Sequence, residues 1–448
     1  LVVDLGRVGS AARQAGRGKH ANGIVARVGR ECLARLACLR HRLRRVRLAD
    51  AGDLQREGRL AAALAGAVAP HGLDLAPRAL TTLAATPGCT ARIEGLASLL
   101  ATCIGLYKGG RSRTVQTAPQ TGDALHGPST EARRERVFMT LFDNVLARYE
   151  SHLRARGEID FNDMISQAVD ALDRGTVKLP FRYLLVDEFQ DISAGRAELV
   201  KALRRARPDA RLLAVGDDWQ SIYRFAGSDV GIMTAFESHF GHTETRFLRQ
   251  TFRFDRRLEA VASAFVLRNP AQIRKQVEAR APDTDAPSVV FWLPADDEAD
   301  DPLPAIAEEL LRDTCGRPDI LVLGRYRALE AQAHLDRMAA AYPQAAWRYS
   351  TIHRAKGATA DYAVILGVRG GRQPFPAERG EDPLLARFLG IGEDFPHAEE
   401  RRLFYVALTR ARHRVYVVGD RRRPSSFFAE LLEQGGDIAV RDRSRRVP

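Results

Sequence analysis

Residues 181–193 read FRYLLVDEFQDIS, an apolar run over 183–186 that delivers two acids, Asp187 and Glu188, at its end. Similar short runs recur at 212–215, 289–292, 320–323, 362–367 and 415–418, separated by stretches with helical spacing. Continuous apolar runs of this length suit strands buried on both faces, and their alternation with helices predicts a parallel sheet covered by helices. Several runs end in charge: Asp187 and Glu188, Asp217 and Asp218, and Arg325. In doubly wound sheets a ligand lies beyond the carboxyl ends of the strands, so these are the positions where a nucleotide would be handled. Adjacent acids there suit NTP hydrolysis, one carboxylate holding Mg²⁺ and its neighbour orienting or deprotonating the attacking water. Taken alone, the bare pair is better read as two acids that end a strand at the surface.

Downstream, LLAVGDDWQSIYRFAGS (212–228) is a second strand followed by a loop of carboxylates with Gln220, Arg224, Trp219, Tyr223 and Phe225. Such a loop can sense a phosphate through Gln220 and offer a ring on which a base stacks. Read alone, it serves equally as an aromatic cluster packing two domains. Upstream, the spacing predicts a long amphipathic helix over 130–156, preceded by a Gly, Pro, Ser and Thr-rich linker, GGRSRTVQTAPQTGDALHGPSTE (109–131). Residues 57–107 are Ala/Leu-rich with helical spacing, punctuated by Pro70, Pro77 and Pro87, and 96–107 reads as a buried helix. Residues 1–48 have weak periodicity and no clear caps, and no element is assigned there.

A chain of 448 residues predicts two or three domains. With 45% hydrophobic and 28% charged residues, 36 Gly and 21 Pro, the composition is globular and argues against disorder, collagen or a coiled coil. No apolar run reaches the roughly 18 residues of a membrane helix. The chain opens at Leu1 with no basic region before a hydrophobic core, so no secretory signal is expected and the sequence reads as a possible fragment. Five cysteines, without CxxC or zinc-type spacing, predict reduced thiols in a cytoplasm and neither a disulfide framework nor a metal cage. Of the 68 Lys and Arg, 12 fall in residues 1–48, against only Asp4 and Glu31 among the acids. Most of the +12 net charge therefore sits in one segment and says little about a nucleic-acid surface elsewhere.

Together the two motifs resemble the DExx and third motifs of superfamily 1 DNA helicases, the UvrD, PcrA and Rep group. Further matches follow in order. RQTFRF (249–254) resembles the motif carrying an adenine-stacking ring and a phosphate-binding arginine, STIHRAKGATADYAVILG (350–367) is similar to motif V, and EERRLFYVALTRARHRVYVVG (399–419) is similar to motif VI. The wording is most like the helicase IV branch of that group. The resemblance covers about residues 135–430. It implies an α/β fold of two RecA-like parallel-sheet domains of the P-loop NTPase type, with a helical insertion in the first and an ATP cleft between them. The expected bounds are an unassigned basic segment at 1–48, the insertion and linker at 49–180, the first RecA-like domain at 181–250 and the second at 251–448.

It implies ATP and Mg²⁺ as cofactors, single-stranded DNA and duplex junctions as partners, no membrane, a monomer in a bacterial cytoplasm, and 3′ to 5′ translocation in repair or recombination. Carried over residue by residue, Asp187 matches the Mg²⁺ ligand, Glu188 the catalytic base and Gln220 the γ-phosphate sensor. Phe252 takes the place of the adenine-stacking ring, Arg253 that of the first arginine finger, and Arg410 that of the second, reaching across from the other domain. Phe225, with Tyr223 beside it, matches the DNA-stacking aromatic, and His353 and Lys356 match motif V residues facing DNA and the cleft. γ-Phosphate contacts from Arg253 and Arg410 would open and close the cleft and ratchet the domains along one strand.

The pattern departs from the family at named places. No stretch spells GxxxxGK[ST]; the one Gly-Lys pair, Gly18-Lys19, is followed by His20 and has Arg13 at the first-glycine position. Either the chain begins downstream of the P-loop or its start is read out of frame. The 448 residues as they stand are therefore expected to bind DNA weakly and not to unwind it. Thr359 stands where the family usually has the glutamate that holds the ribose. Fewer than a hundred residues separate Arg253 from Thr351, which predicts a second domain without the large helical insertion of UvrD and PcrA. Two rivals remain: a helicase-nuclease of the RecB or AddA type, which would need a nuclease domain after motif VI where 38 residues follow Arg410, and a non-hydrolysing DNA-binding remnant.

Overall fold

A computed structural model of the chain describes residues 2–4, 89–110, 130–283, 287–294, 301–312, 314, 316–326, 331–371, 373–378, 382–389 and 392–443. The basic segment beyond residue 4, the helical reading of 57–88 and linker residues 111–129 lie outside the described residues. The chain forms two compact units, neither of them contiguous. The first comprises Leu1–Gly216, Tyr223–Phe240 and Glu381–Gly392; the second comprises Asp217–Ile222, Gly241–Gly380 and Glu393–Pro448.

The first unit holds a parallel three-stranded sheet of β1 (Val2–Asp4), β2 (Tyr183–Asp187) and β3 (Arg211–Ala214), with β2 in the middle. Counting helices of eight residues or more, it also contains α1 (Cys89–Gly109), α2 (Thr130–Arg156), α3 (Phe161–Asp173) and α4 (Ala194–Ala206). The expected long helix is α2. Its Phe138, Leu141, Phe142, Val145, Tyr149 and Leu153 recur at helical spacing and bury against Leu100, Cys103 and Ile104 of α1. Leu384, Phe388 and Leu389, in and just after the short helix Pro383–Ala386, complete this core. Arg134–Asp382 and Arg387–Glu135 ion pairs flank it. Burying a ring such as Phe388 contributes about 1.5–3 kcal/mol.

Helix α3 begins at Asp160 through a reciprocal cap: Asp160 accepts from Asp163 N at 2.8 Å while Asp163 accepts from Asp160 N. Asp160 also accepts from Tyr149 Oη and pairs with Lys108, which ties α1, α2 and α3 at one carboxylate. Helix α4 packs beneath the sheet, where Ala197 and Val200 meet Val186, Phe189 and Ile192.

The second unit is a six-stranded, wholly parallel sheet in the order β11-β6-β10-β9-β7-β8. Its strands are β6 (Val289–Leu293), β7 (Asp319–Gly324), β8 (Ala346–Thr351), β9 (Ala360–Val368), β10 (Ala411–Gly419) and β11 (Ile438–Asp442). Beside it, β4 (Gln250–Thr251) and β5 (Glu278–Ala279) form a short parallel pair. The helices are α5 (Arg256–Val266), α6 (Leu303–Arg312), α7 (Ala331–Ala341), α8 (Ala398–Leu408) and α9 (Ser426–Gln434).

Alternation along a strand sends successive side chains to opposite faces. Val290 and Trp292 of β6 pack with Leu303, Ile306 and Leu310 of α6 and with Leu335 and Met338 of α7. Between them, Phe291 stacks on Phe428 of α9 at 4.2 Å, on the side where Phe265 of α5, Phe404 of α8 and Phe427 form an edge-to-face cluster. Helices therefore cover both faces, which is why the inner strands read as unbroken apolar runs. Among the described residues no helix is long and apolar enough to cross a membrane.

Candidate nucleotide and nucleic-acid site

At the end of β2 the chain turns sharply. Glu188 lies in the left-handed region, φ 52° and ψ 42°, and opens the 3-10 turn Phe189–Asp191. A residue with a Cβ pays on the order of 1 kcal/mol or more for that conformation, and it persists only where its surroundings over-determine it. Here Glu188 N donates to Asp187 Oδ1 at 2.9 Å, Gln190 Nε2 donates to Glu188 Oε2 at 2.6 Å, and Phe189 N donates to Val215 O at 2.9 Å. Gln190 and Phe189 are buried, the latter edge-on to Phe236 and Phe240, whereas Asp187 and Glu188 are exposed.

Tyr223 carries a phenol pushed up to about 12 by burial, with the Asp191 and Glu188 carboxylates adding to the effect, so it keeps its proton, and can donate a hydrogen bond, at every physiological pH. The Phe225 ring is 6.0 Å from that of Tyr223 and 44% exposed, available as a stacking surface. The first unit thus gathers Asp187, Glu188, Tyr223 and Phe225 in one neighbourhood.

The second unit gathers the others. Asp217 caps a 3-10 turn, Asp218–Gln220, by accepting from Trp219 N at 3.1 Å and from Gln220 Nε2 at 2.6 Å. Trp219 is fully buried and edge-on to Tyr405 at 5.4 Å, so this ring is core and does not stack on a base. Phe252, at the end of β4, is 75% exposed. Arg253 donates from a terminal nitrogen to Thr409 O at 3.4 Å, and Arg410 donates to Thr409 Oγ1 at 3.1 Å, so arginines from two motifs meet at one threonine. Burial raises the Tyr405 phenol, with Asp217 adding to the effect while Arg410 and Arg253 oppose it. Asp217, Arg253 and Arg410 therefore all act on the same ring. Arg410 itself is fully buried, with its guanidinium also on Val406 O at 2.7 Å and Ala358 O at 3.2 Å.

His353 and Lys356 lie in the turn after β8. Burial lowers the His353 imidazole to about 4, with the Arg325 charge assisting and Glu400 opposing. Arg325 and Glu400 form a bidentate pair, with hydrogen bonds of 2.6 to 3.0 Å, at the tip of β7. Thr359 Oγ1 accepts from Arg412 at 3.2 Å, and Arg412 also grips Asp361 at 2.9 Å. Gln190 adds to the first unit's group, and Thr409 and Tyr405 add to the second unit's, without standing out in the sequence. Gln190 could have been found from its place two residues past the acid pair, whereas nothing in the sequence marks Thr409 or Tyr405 beyond their motif.

The first unit thus carries acids at the tip of a parallel strand, and the second brings two arginines to one threonine. Residues 93–241 match the UvrD/REP helicase N-terminal domain and residues 335–421 match the UvrD-like helicase C-terminal domain. The chain belongs to the UvrD/Rep helicase family. Over 289 residues, 64% of this chain and 41% of the other, it is 40% identical to DNA helicase IV of Escherichia coli K12. It is 32% identical to the ATP-dependent DNA helicase Rep of the same organism over 33% of this chain and 22% of Rep. It is 31% identical to the putative ATP-dependent DNA helicase YjcD of Bacillus subtilis over 34% of this chain and 20% of that protein. The chain thus spans less than half the length of these relatives.

Proposed function

We propose that the protein is an ATP-dependent DNA helicase that hydrolyses ATP with Mg²⁺ and moves 3′ to 5′ along one strand, in DNA repair or recombination. The observation that carries this reading is the convergence of Arg253, Arg410 and the Asp217–Gln220 pair around Thr409 and Tyr405, three motifs brought to one place in the fold. Donors so grouped suit the charge that gathers on a transferring γ-phosphoryl group.

Asp187 supplies a hard oxygen donor of the kind a Mg²⁺ ion takes, exposed at the strand tip with Glu188 beside it, so the residues present fit the metal. When bound, the ion would neutralise charge building on the phosphates. Glu188, steered by Gln190, would accept the attacking water's proton on its carboxylate. Gln220, its amide turned by Asp217, would report the γ-phosphate, and Phe252 would cover the adenine. Phe225 and Tyr223 would meet bases of the tracking strand, with His353 and Lys356 serving the same strand.

The test is Glu188→Gln in the intact protein. Loss of DNA-stimulated hydrolysis by at least about a hundredfold, with ATP and single-strand binding within threefold of wild type, is the expected outcome. Hydrolysis near the wild-type rate would reduce Glu188 to a strand-end acid and remove the reading.

A further inference from the structure

Gln220 depends on a set of residues to which the family resemblance assigns no role. Asp218, fully buried, accepts from Gln272 Nε2 at 2.7 Å, from Ile273 N at 2.8 Å and from Lys275 Nζ at 2.9 Å. Lys275 also pairs with Asp217 and sits 4.3 Å over the ring of Trp219, whose Nε1 donates to Ile273 O at 3.1 Å. From helix α8, Arg402, 1% exposed, donates to Ser221 O at 2.6 Å, to Gln272 Oε1 at 3.2 Å and, by both terminal nitrogens, to Glu393 at 2.6 and 2.7 Å. Gln220 is thus gripped from both neighbours: Trp219 and its flanking acids by 272–275, and Ser221 by Arg402. Burying polar oxygens costs free energy unless donors meet them, and here Gln272, Ile273 N and Lys275 do so. Beyond those contacts, Asp217 orients the Gln220 amide at 2.6 Å.

We propose that Lys275, Gln272 and Arg402 are positioning residues, a clamp that fixes the Asp217–Ser221 turn so that the Gln220 amide meets the γ-phosphate in register. The clamp rests on the reading of Gln220 as γ-phosphate sensor. Its occupant is the terminal phosphate of a nucleoside triphosphate, and a diphosphate should not feel it. Lys275 acts through Asp217, and Arg402 acts through the Ser221 carbonyl and Gln272.

The experiment is a double-mutant cycle of Lys275→Met with Gln220→Ala in the intact protein, reading DNA-stimulated ATP turnover and the ratio of ATP to ADP affinity. Methionine keeps the stem over Trp219 and removes the charge. Expected are a turnover about tenfold lower for Lys275→Met, a loss of ATP preference with ADP affinity within threefold, recovery by Lys275→Arg to within threefold, and a double variant no worse than Gln220→Ala by more than twofold. Additive losses would overturn the clamp, since Lys275 would then act apart from Gln220. So would wild-type turnover in Lys275→Met while Gln220→Ala is impaired. If Gln220→Ala itself is indistinguishable from wild type, the sensor reading fails first and takes the clamp with it. Should Lys275→Met not fold, Arg402→Lys enters the same cycle with the same outcomes, because lysine can still face Glu393 but cannot fork between Ser221 and Gln272.

Discussion

Gly216 lies so close to Gln190 that a Cβ built on it would stand 2.6 Å from Gln190 Oε1 and 3.0 Å from Gln190 N. The position just past β3 is thus a glycine because the amide that steers Glu188 occupies the space a side chain would need. Gly216→Ala should push Gln190 off Glu188. We expect hydrolysis to fall at least about tenfold, and stability to fall by about 1–3 kcal/mol from overpacking. Parallel turnover and thermal-melting measurements check this. Unchanged turnover in a folded variant would show that the Gln190–Glu188 bond does not serve the reaction.

Arg410 is expected to separate two jobs. Arg410→Lys keeps a cation in the pocket but loses the fork that reaches Val406 O, Ala358 O and Thr409 Oγ1. Its hydrolysis should drop by about a hundredfold or more with a modest change in melting. Arg410→Ala should lose hydrolysis equally and cost about 2–4 kcal/mol as well, because buried carbonyls lose their donor. A Lys variant with wild-type turnover would make Arg410 purely structural.

Phe225, exposed beside Tyr223, should contribute to single-strand affinity about 1–3 kcal/mol, the usual worth of a base on an aromatic ring. Phe225→Ala is therefore expected to weaken oligonucleotide binding and unwinding while ATP affinity holds. Fluorescence titration with a single-stranded oligonucleotide reads it directly, and unchanged affinity would return the ring to a packing role.

His353 gives the molecule an acid-side weakness. Its folded value is lowered to about 4 from 6.5, so between those pH values the unfolded chain takes a proton that the folded one refuses. Stability from this group is full above about pH 6.5 and is lost as pH falls towards 4, amounting to about 1 kcal/mol by pH 5.5. Thermal unfolding at pH 7.5 and 5.5 should show a larger drop for wild type than for His353→Gln. Equal drops would mean that the imidazole protonates in place.

Much of the second unit was legible because β6, β7, β9 and β10 are buried on both faces and their apolar runs are continuous. β8 and β11, AWRYST and IAVRD, escaped notice because they are the outermost strands, with one side unpaired and mixed burial. The acids at the tip of β2 were legible, whereas the left-handed turn at Glu188 was not, since it depends on how Asp187, Gln190 and the anchored Phe189 hold it in the fold. Asp217 and Asp218 were visible as a charged pair, but their cation, Lys275, lies 57 and 58 positions on in a stretch without periodicity. Arg401 and Arg402 read as motif letters. In the fold both are buried, Arg401 on Phe265 O and Glu430 and Arg402 on Ser221 O and Glu393.

The segment carrying Leu384, Phe388 and Leu389 has a consequence for how the chain is made. The core between α1 and α2 lacks its last three side chains until they are synthesised, and the Arg134–Asp382 pair closes across 248 positions. A ribosome extending the chain must therefore hold the first unit's helices with an unfilled apolar surface through most of the second unit's synthesis. The first unit is completed only at Glu381–Gly392, and a fragment cut at its apparent end near Phe240 would leave that surface permanently open.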